Sequence, residues 1–474
     1  MIRDRGFLRE VRAIAVPVTA QSVVMSLLLV TDQLMVGQLG TTAVATVGIS
    51  SKLTGVLIVA LTGLATGVSI FAAQHWGSGD RDRVRHLLGL GLLLGFAFAT
   101  AITFVVAVFP RVVMSPFTTD GRVLAEGAGF VRIIALGYLP TMLTLIYSAV
   151  LRSTGAARLP MWASIAAAVL NLALDWLLIF GHLGLPRLGL EGAAIATTAA
   201  RFVEITVILI GAYAARHVVA VTKLADLRGA DAQLLRRFAL VALPLAFNEL
   251  LWVLGETAYV VAYGRMGTDS LAAMAMTFPV QSLAIGLLTG LASTAGVLVG
   301  QRLGRDDLAD ARLRGNQLIG GGVVAALGIG VLVAAGSSMY VGLFAVPGEV
   351  RHVGQLCLLV FAAFLWVKVA NMILAGAVLN AGGDSRFVLV MESLATWVVG
   401  VPTAFVAAFV FGFPVWAVYL LLSLEEVVRL AVGWRRLRSG LWLRNLTSAP
   451  TELERPTETV LSPRSSLDGV DPFS

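Results

Sequence analysis

RAIAVPVTAQSVVMSLLLVTDQLMVGQLG, residues 12–40, decides how the chain is read. At a rise of ~1.5 Å per residue it is long enough to cross ~30 Å of hydrocarbon as a helix. Yet it carries one acid, Asp32, near its far end. A carboxylate at bilayer depth costs about 2.5–3.5 kcal/mol on insertion scales, so its first reading is functional: a proton or cation site of a transporter. A second copy of the stretch begins at residue 239.

Composition supports a membrane chain. Hydrophobic residues make up 58% of the 474, charged residues 13%, and mean hydropathy is +0.87. A soluble domain carries about 25% charged residues. Net charge is +7, but the basic residues sit in short connections between apolar runs, which is a topology signal and not a nucleic-acid surface. The single cysteine, Cys357, excludes an intrachain disulfide framework and a Cys-rich metal cluster. Lysine occurs only at 52, 223 and 368. With the Ala, Gly, Val and Leu richness, this fits a GC-rich bacterial genome. The N-terminal MIRDRGFLREVR and its apolar run could pass for a signal peptide, but the run is too long and recurs mid-chain.

Apolar segments fall at 12–36, 44–75, 88–110, 124–151, 159–181 and 190–215, then at 238–263, 270–300, 315–344, 352–379, 387–410 and 414–434. The expectation is an all-α membrane protein with twelve transmembrane helices in two six-helix repeats. With the N-terminus inside, nineteen basic residues of the connections fall on the cytoplasmic side and five (Arg111, Arg122, Arg187, Arg265, Arg351) on the other. Both termini are therefore placed in the cytoplasm, and the protein in the bacterial cytoplasmic (inner) membrane as a multi-pass chain.

The internal repeat sets the domain plan. Residues 17–80 align with 244–307 without a gap, and fifteen of the 64 positions are identical. Pro17 meets Pro244, LTGLA at 61–65 recurs at 288–292, and Gln74, Gly77 and Asp80 meet Gln301, Gly304 and Asp307. One position further out of phase, LRSTGAAR at 151–158 meets LNAGGDSR at 379–386. Six helices per unit make the repeats parallel, related by a pseudo-two-fold along the membrane normal, with a substrate cavity between them. The plan is an N-terminal lobe 1–216, a cytoplasmic linker 217–236, a C-terminal lobe 237–440, and a basic, Trp-bearing interfacial segment that runs into a disordered tail, 441–474.

The order of these motifs resembles the multidrug and toxic compound extrusion (MATE) family: P…D…VGQLG in the first helix, LTGLA then AAQHWGSGD, VLRSTGAARLP, and N…D…IFG in the fifth. With the SGLWLRNLT end, it is similar to the DNA-damage-inducible protein F-like branch. The resemblance covers about residues 10–446 and implies a cation-coupled exporter with twelve helices in two lobes. It places Asp32 on the family's first-helix aspartate, Pro17 on its proline, Asn171 and Asp175 on the fifth-helix pair, and Thr197 or Thr198 near the sixth-helix threonine. The family's fourth-helix tyrosine falls on Phe130, with Tyr138 nearby.

Helical arithmetic points the same way for the acids. Asp32 and Asp175 lie near the outer ends of two outward-running helices, about 6–9 Å inside the boundary, and Asn171 is one turn from Asp175 on the same face. Two sheltered carboxylates at one depth make a site that a proton or a sodium ion can occupy. The competing reading is a pair of near-interface acids reached by water. The second lobe breaks the symmetry: Tyr259 stands where Asp32 would repeat, and Thr403 stands opposite Asp175. It offers Glu249 and Glu256 on one face of the seventh helix and Lys368 in the tenth, a possible substrate or cation site or a structural ion pair. Glu425, Glu426 and Arg429, like Arg201 and Glu204, are read as helix-internal ion pairs.

No glycine-rich loop precedes any lysine, and there is no HExxH or GxSxG, so neither ATP hydrolysis nor another enzyme activity is indicated and no cofactor is expected. The sequence reading is a secondary antiporter, monomeric and surrounded by lipid. It would export small amphipathic organic compounds, with cations as one option, in exchange for protons or sodium ions by alternating access. The alternative within transport is a lipid-linked precursor flippase.

Overall fold

The computed structural model describes residues 5–118, 120–220, 232–344 and 346–447. Twelve long helices account for nearly all of it. The first six are α1 (Arg5–Gly37), α2 (Thr41–Gly77), α3 (Arg81–Val108), α4 (Gly121–Ser153), α5 (Arg158–Phe180) and α6 (Leu190–Ala214). The second six are α7 (Ala232–Arg265), α8 (Thr268–Gly304), α9 (Leu308–Gly342), α10 (Gly348–Leu379), α11 (Ser385–Phe409) and α12 (Val415–Ser439). Eleven of them are long and apolar enough to cross a membrane. The exception is α12, where Glu425, Glu426 and Arg429 interrupt the apolar run.

Helix is the only sensible fate of such segments, because a backbone in hydrocarbon must satisfy its own polar groups. The outward faces stay apolar, with Leu332, Met339 and Trp162 among many exposed hydrophobics. Breaks have local causes. The fourth helix divides at Gly137, into Gly121–Leu136 and Tyr138–Ser153, because Pro140 cannot donate to the Leu136 carbonyl. Wide π-type turns interrupt α10 at Leu374–Leu379 and α11 at Leu394–Gly400. Such turns often accompany functional sites.

The two lobes touch along α1 against α8 and α2 against α7. Gly63 meets Ala246, and its repeat equivalent Gly290 meets Ala15 and Thr19; any side chain at either glycine would collide with backbone. The Thr19 hydroxyl donates to the Leu287 carbonyl at 3.2 Å. These contacts lie toward one end of the molecule, called here the basic end, where Arg81, Arg83, Arg158, Arg302 and Arg312 gather. There the helices trade partners: Phe7, Ile14 and Val18 of α1 enter the core of the second lobe, and Phe238, Val241 and Leu245 of α7 enter that of the first. Toward the other end α1 exposes Leu27, Leu29, Val30 and Leu34, and α7 exposes Trp252, Val260 and Val261. Cross-lobe hydrogen bonds such as Thr19 to Leu287, Gln74 to Ala381 and Gln301 to Ser153 lie in the half nearer the basic end.

Residues 448–474, and 221–231 of the linker, lie outside the described residues. In the Trp-bearing segment Trp442 is fully buried against the protein, and its indole donates to the Leu437 carbonyl at 3.0 Å. A left-handed turn at Gly440 folds the segment back onto the protein and takes the large apolar face of the indole out of water.

Candidate functional site

The first lobe brings together the four residues assigned to ion coupling. With its amide oriented to satisfy its neighbours, the Asn171 nitrogen donates to Asp32 Oδ1 at 3.1 Å and to Asp175 Oδ2 at 3.3 Å. Its oxygen accepts the Thr197 backbone N–H at 3.2 Å. One side chain thus ties α1, α5 and α6 to a single point. Asn171 and Asp175 are almost fully buried, at 1% and 2% exposure, while Asp32 is half-buried. Both carboxyls converge on that one Asn171 nitrogen, which sets Asp32 and Asp175 side by side. Asp175 Oδ1 is buried with no hydrogen-bond partner. Two carboxylates so placed repel unless a proton or a metal cation lies between them, and the free oxygen is available to such an ion. The oxygens not engaged by Asn171 belong to the two carboxylates, groups that can take a proton or ligate a hard cation.

The remaining first-lobe candidates take structural places. Thr198 turns away and donates to the Ile133 carbonyl at 2.9 Å, which leaves Thr197 as the member of the pair at the site. Phe130 is buried in the apolar core, and the Tyr138 hydroxyl pairs with Thr54 at 3.3 Å. Pro17 is buried in a helix that runs unbroken past it, fifteen residues from Asp32.

In the second lobe Glu256, Tyr259 and Lys368 line one cavity, with about 660 Å³ of empty space that is partly open to solvent. Glu249 stands apart: its charged neighbour is Glu392, which accepts from Asn248 at 2.6 Å. Lys368 is not paired with either glutamate of α7. It bonds Glu426 of α12 at 3.2 Å, and Asn371 holds the other Glu426 oxygen at 2.8 Å. Arg429 bonds Glu425 at 2.7 Å and Thr396, in the π-type turn of α11, at 3.2 Å.

Glu425, Glu426 and Arg429 are indeed spaced for pairing within α12, but they also form a wall of the cavity, which the spacing alone did not reveal. A signal was present: three charges in an apolar helix need a protein-lined polar space. The cavity holds three acids (Glu256, Glu425, Glu426) against two bases (Lys368, Arg429), and the buried Tyr259 hydroxyl has no partner. An acidic excess among aromatic side chains is chemistry for an amphipathic cation.

The sequence pattern of the MatE family matches residues 17–177 and again 244–406. The chain is similar to NorM of Bradyrhizobium diazoefficiens, described as a "probable multidrug resistance protein", with 27% identity over 427 residues covering 88% of this chain and 90% of that one. The NorM of Burkholderia pseudomallei is 29% identical over 394 residues, 80% of this chain and 81% of its own. Among solved structures, an outward-facing multidrug resistance MATE family transporter superposes with a TM-score of 0.83 at 19% identity, covering 91% of this chain and 96% of that one. The Vibrio cholerae MATE transporter VcmN superposes at 0.84 and 20% identity, covering 92% and 98%. At these identities the structural likeness speaks for the fold.

Proposed function

Because the chain belongs to the MatE family, whose pattern covers both of its repeats, we propose that it is a multidrug efflux transporter. In this reading it is a secondary antiporter of the DNA-damage-inducible protein F-like branch. It exports small amphipathic compounds, cations among them, in exchange for protons or sodium ions. Its relatives are named for multidrug resistance. The basic end faces the cytoplasm of a bacterial cell, with both termini inside, and the protein works as a monomer.

The observation that carries the reading is the Asn171 bridge between Asp32 and Asp175. With the lobes parted at the outer end, an ion from outside reaches the carboxyl pair and relieves their repulsion. Neutralising the pair alters the hold of α1 on α5 and favours a bend near Pro17, which releases substrate outward. The lobes 1–216 and 237–440, joined through 217–236, then rock. The site faces the cytoplasm, the ion leaves, and new substrate binds. Glu256, Lys368 and Tyr259 serve the substrate in the second lobe, and Glu249 stands as a reserve acid on the same helix. The drive is about 2.3 kcal/mol per charge per 100 mV, with about 1.4 kcal/mol per pH unit for a proton.

The test is flux of ethidium into liposomes holding the purified protein, driven by a pH gradient and by a sodium gradient. Wild type should respond to one of them, and Asp32→Asn should lose at least tenfold. Equal flux in the variant would remove Asp32 from the site, and no flux under either gradient would remove antiport itself.

A further inference from the structure

Below the carboxyl pair, toward the basic end, lies a second polar chain. Gln21 is eleven residues before Asp32 on α1, and Ser164 is eleven before Asp175 on α5, so each sits on its partner's face about 16 Å nearer the basic end. The Gln21 amide donates to Ser164 Oγ at 2.7 Å, and the Ser164 hydroxyl donates to Glu204 Oε1 at 2.6 Å. The other Glu204 oxygen accepts Arg201 Nη1 at 3.0 Å. Arg201 in turn lies one turn from Thr197 on α6 and acts electrostatically on Asp32. It stands between the two sets.

We propose that Arg201 is the internal counter-ion of the Asp32/Asp175 pair: a tethered cation, parked on Glu204 while the coupling ion is bound, that turns to Asp32 when the ion has left. The inference rests on the antiport reading above. An emptied pair of carboxylates inside the lobe is an uncompensated double charge, which is costly away from bulk water. A guanidinium stays charged under all physiological conditions and can engage a carboxylate with two N–H groups. The acid of the parking place is fixed, with a side chain only 3% exposed and both oxygens held, whereas the Arg201 side chain is 28% exposed and has room to move.

The acids near it are Glu204 on its own helix and, one turn away through Thr197 and Asn171, Asp32 of α1 and Asp175 of α5. The chain also reports the shape of α1. Gln21 is four residues beyond Pro17, so a bend there withdraws it from Ser164 and loosens the clamp on Glu204.

The two partners should therefore act in opposite directions on the same quantity. In liposomes holding the full chain, ethidium flux is measured against the concentration of the driving ion, proton or sodium in turn. Arg201→Gln removes the competitor for Asp32, so half-maximal flux should come at about tenfold lower ion concentration, with slower turnover because the ion leaves late. Glu204→Gln frees Arg201 to occupy Asp32, so half-maximal flux should need about tenfold more ion. The double variant should follow Arg201→Gln, and Arg201→Lys should fall between that variant and wild type.

A structural role for the pair predicts losses in the same direction from both single changes, and that result, or no shift in either, overturns the proposal while leaving antiport intact. If Arg201→Gln does not fold, Arg201→Lys takes its place beside Glu204→Gln: opposite shifts of the ion concentration at half-maximal flux support the counter-ion, and shifts in one direction or none overturn it. Wild type driven by neither gradient would overturn antiport, and the counter-ion with it.

Discussion

Gln74 and Gln301, equivalent positions of the two repeats, reach across to opposite lobes and bind equivalent carbonyls. Gln74 Nε2 donates to Ala381 at 2.7 Å, and Gln301 Nε2 donates to Ser153 at 2.7 Å. Gly77 lies against the Gln301 carbonyl and Gly304 against that of Gln74, so close that a Cβ on either glycine would overlap backbone. The Leu446 N–H adds a bond to Gln74 Oε1 at 2.6 Å, which makes the segment after α12 a strap over the joint. This reciprocal clasp holds the lobes together at the basic end and so favours the state open at the other.

Replacing Gln74 and Gln301 by Leu together should weaken that end. Each lost bond is worth about 1 kcal/mol, and each leaves a buried carbonyl unpaired, so the balance of states should move by about tenfold or more toward opening at the basic end. Spin labels at Gln38→Cys and Arg265→Cys, equivalent exposed positions at the opposite ends of α1 and α7, report it. The distance distribution should shift to shorter values in the double variant. An unchanged distribution would show that the glycine contacts alone hold the joint.

Lys368 and Glu426 should behave as a coupled pair. Removing one partner of a sheltered ion pair leaves a charge uncompensated, whereas removing both is far milder. Lys368→Met should therefore cut ethidium efflux by tenfold or more, and adding Glu426→Gln should restore a good part of it. Additive losses in the double-mutant cycle would mean that the two act independently.

His217, just past α6, gives the structure a pH dependence of its own. Its neutral ring is satisfied on both sides: Nδ1 accepts the Val219 N–H at 3.4 Å, and Nε2 donates to Thr154 Oγ1 at 3.1 Å, a hydroxyl whose own hydrogen goes to the Val150 or Leu151 carbonyl. Burial pushes the imidazole below its ordinary value of 6.5. The unfolded chain therefore binds a proton more readily than the folded one. Stability from this residue is full above about 6.5 and is lost as pH falls from there through the folded value. Thermal unfolding in detergent should show a smaller drop between pH 7.5 and 5.5 in His217→Gln than in wild type. An equal drop would place the acid sensitivity elsewhere.

Much of this was legible because a membrane simplifies the code. An acid in a 29-residue apolar stretch has few innocent explanations, and helical rise alone set Asp32 and Asp175 at one depth. What the sequence could not supply was contact between segments distant along the chain. Gln74 and Gln301 stand out as matching polar residues in apolar helices, but nothing in their own neighbourhood says that they bind each other's lobe. The partner of Lys368 was sought on α7 because the glutamates there lie on one face, whereas packing set α12 beside it. The buried Trp442 follows from a fold-back at Gly440 whose landing place, on Gly382 of the second lobe, is fixed only by the assembled fold.

Exchange of the ion on the carboxyl pair for substrate is read most directly in the release of that ion. Purified protein in weakly buffered detergent is titrated with tetraphenylphosphonium, while released protons are followed with a pH dye and released sodium with the radioactive isotope. Wild type should give up one of the two ions as the organic cation binds, and Asp32→Asn and Asp175→Asn should give up none. Tetraphenylphosphonium binding with no release of either ion, or release that persists undiminished in both variants, would contradict it.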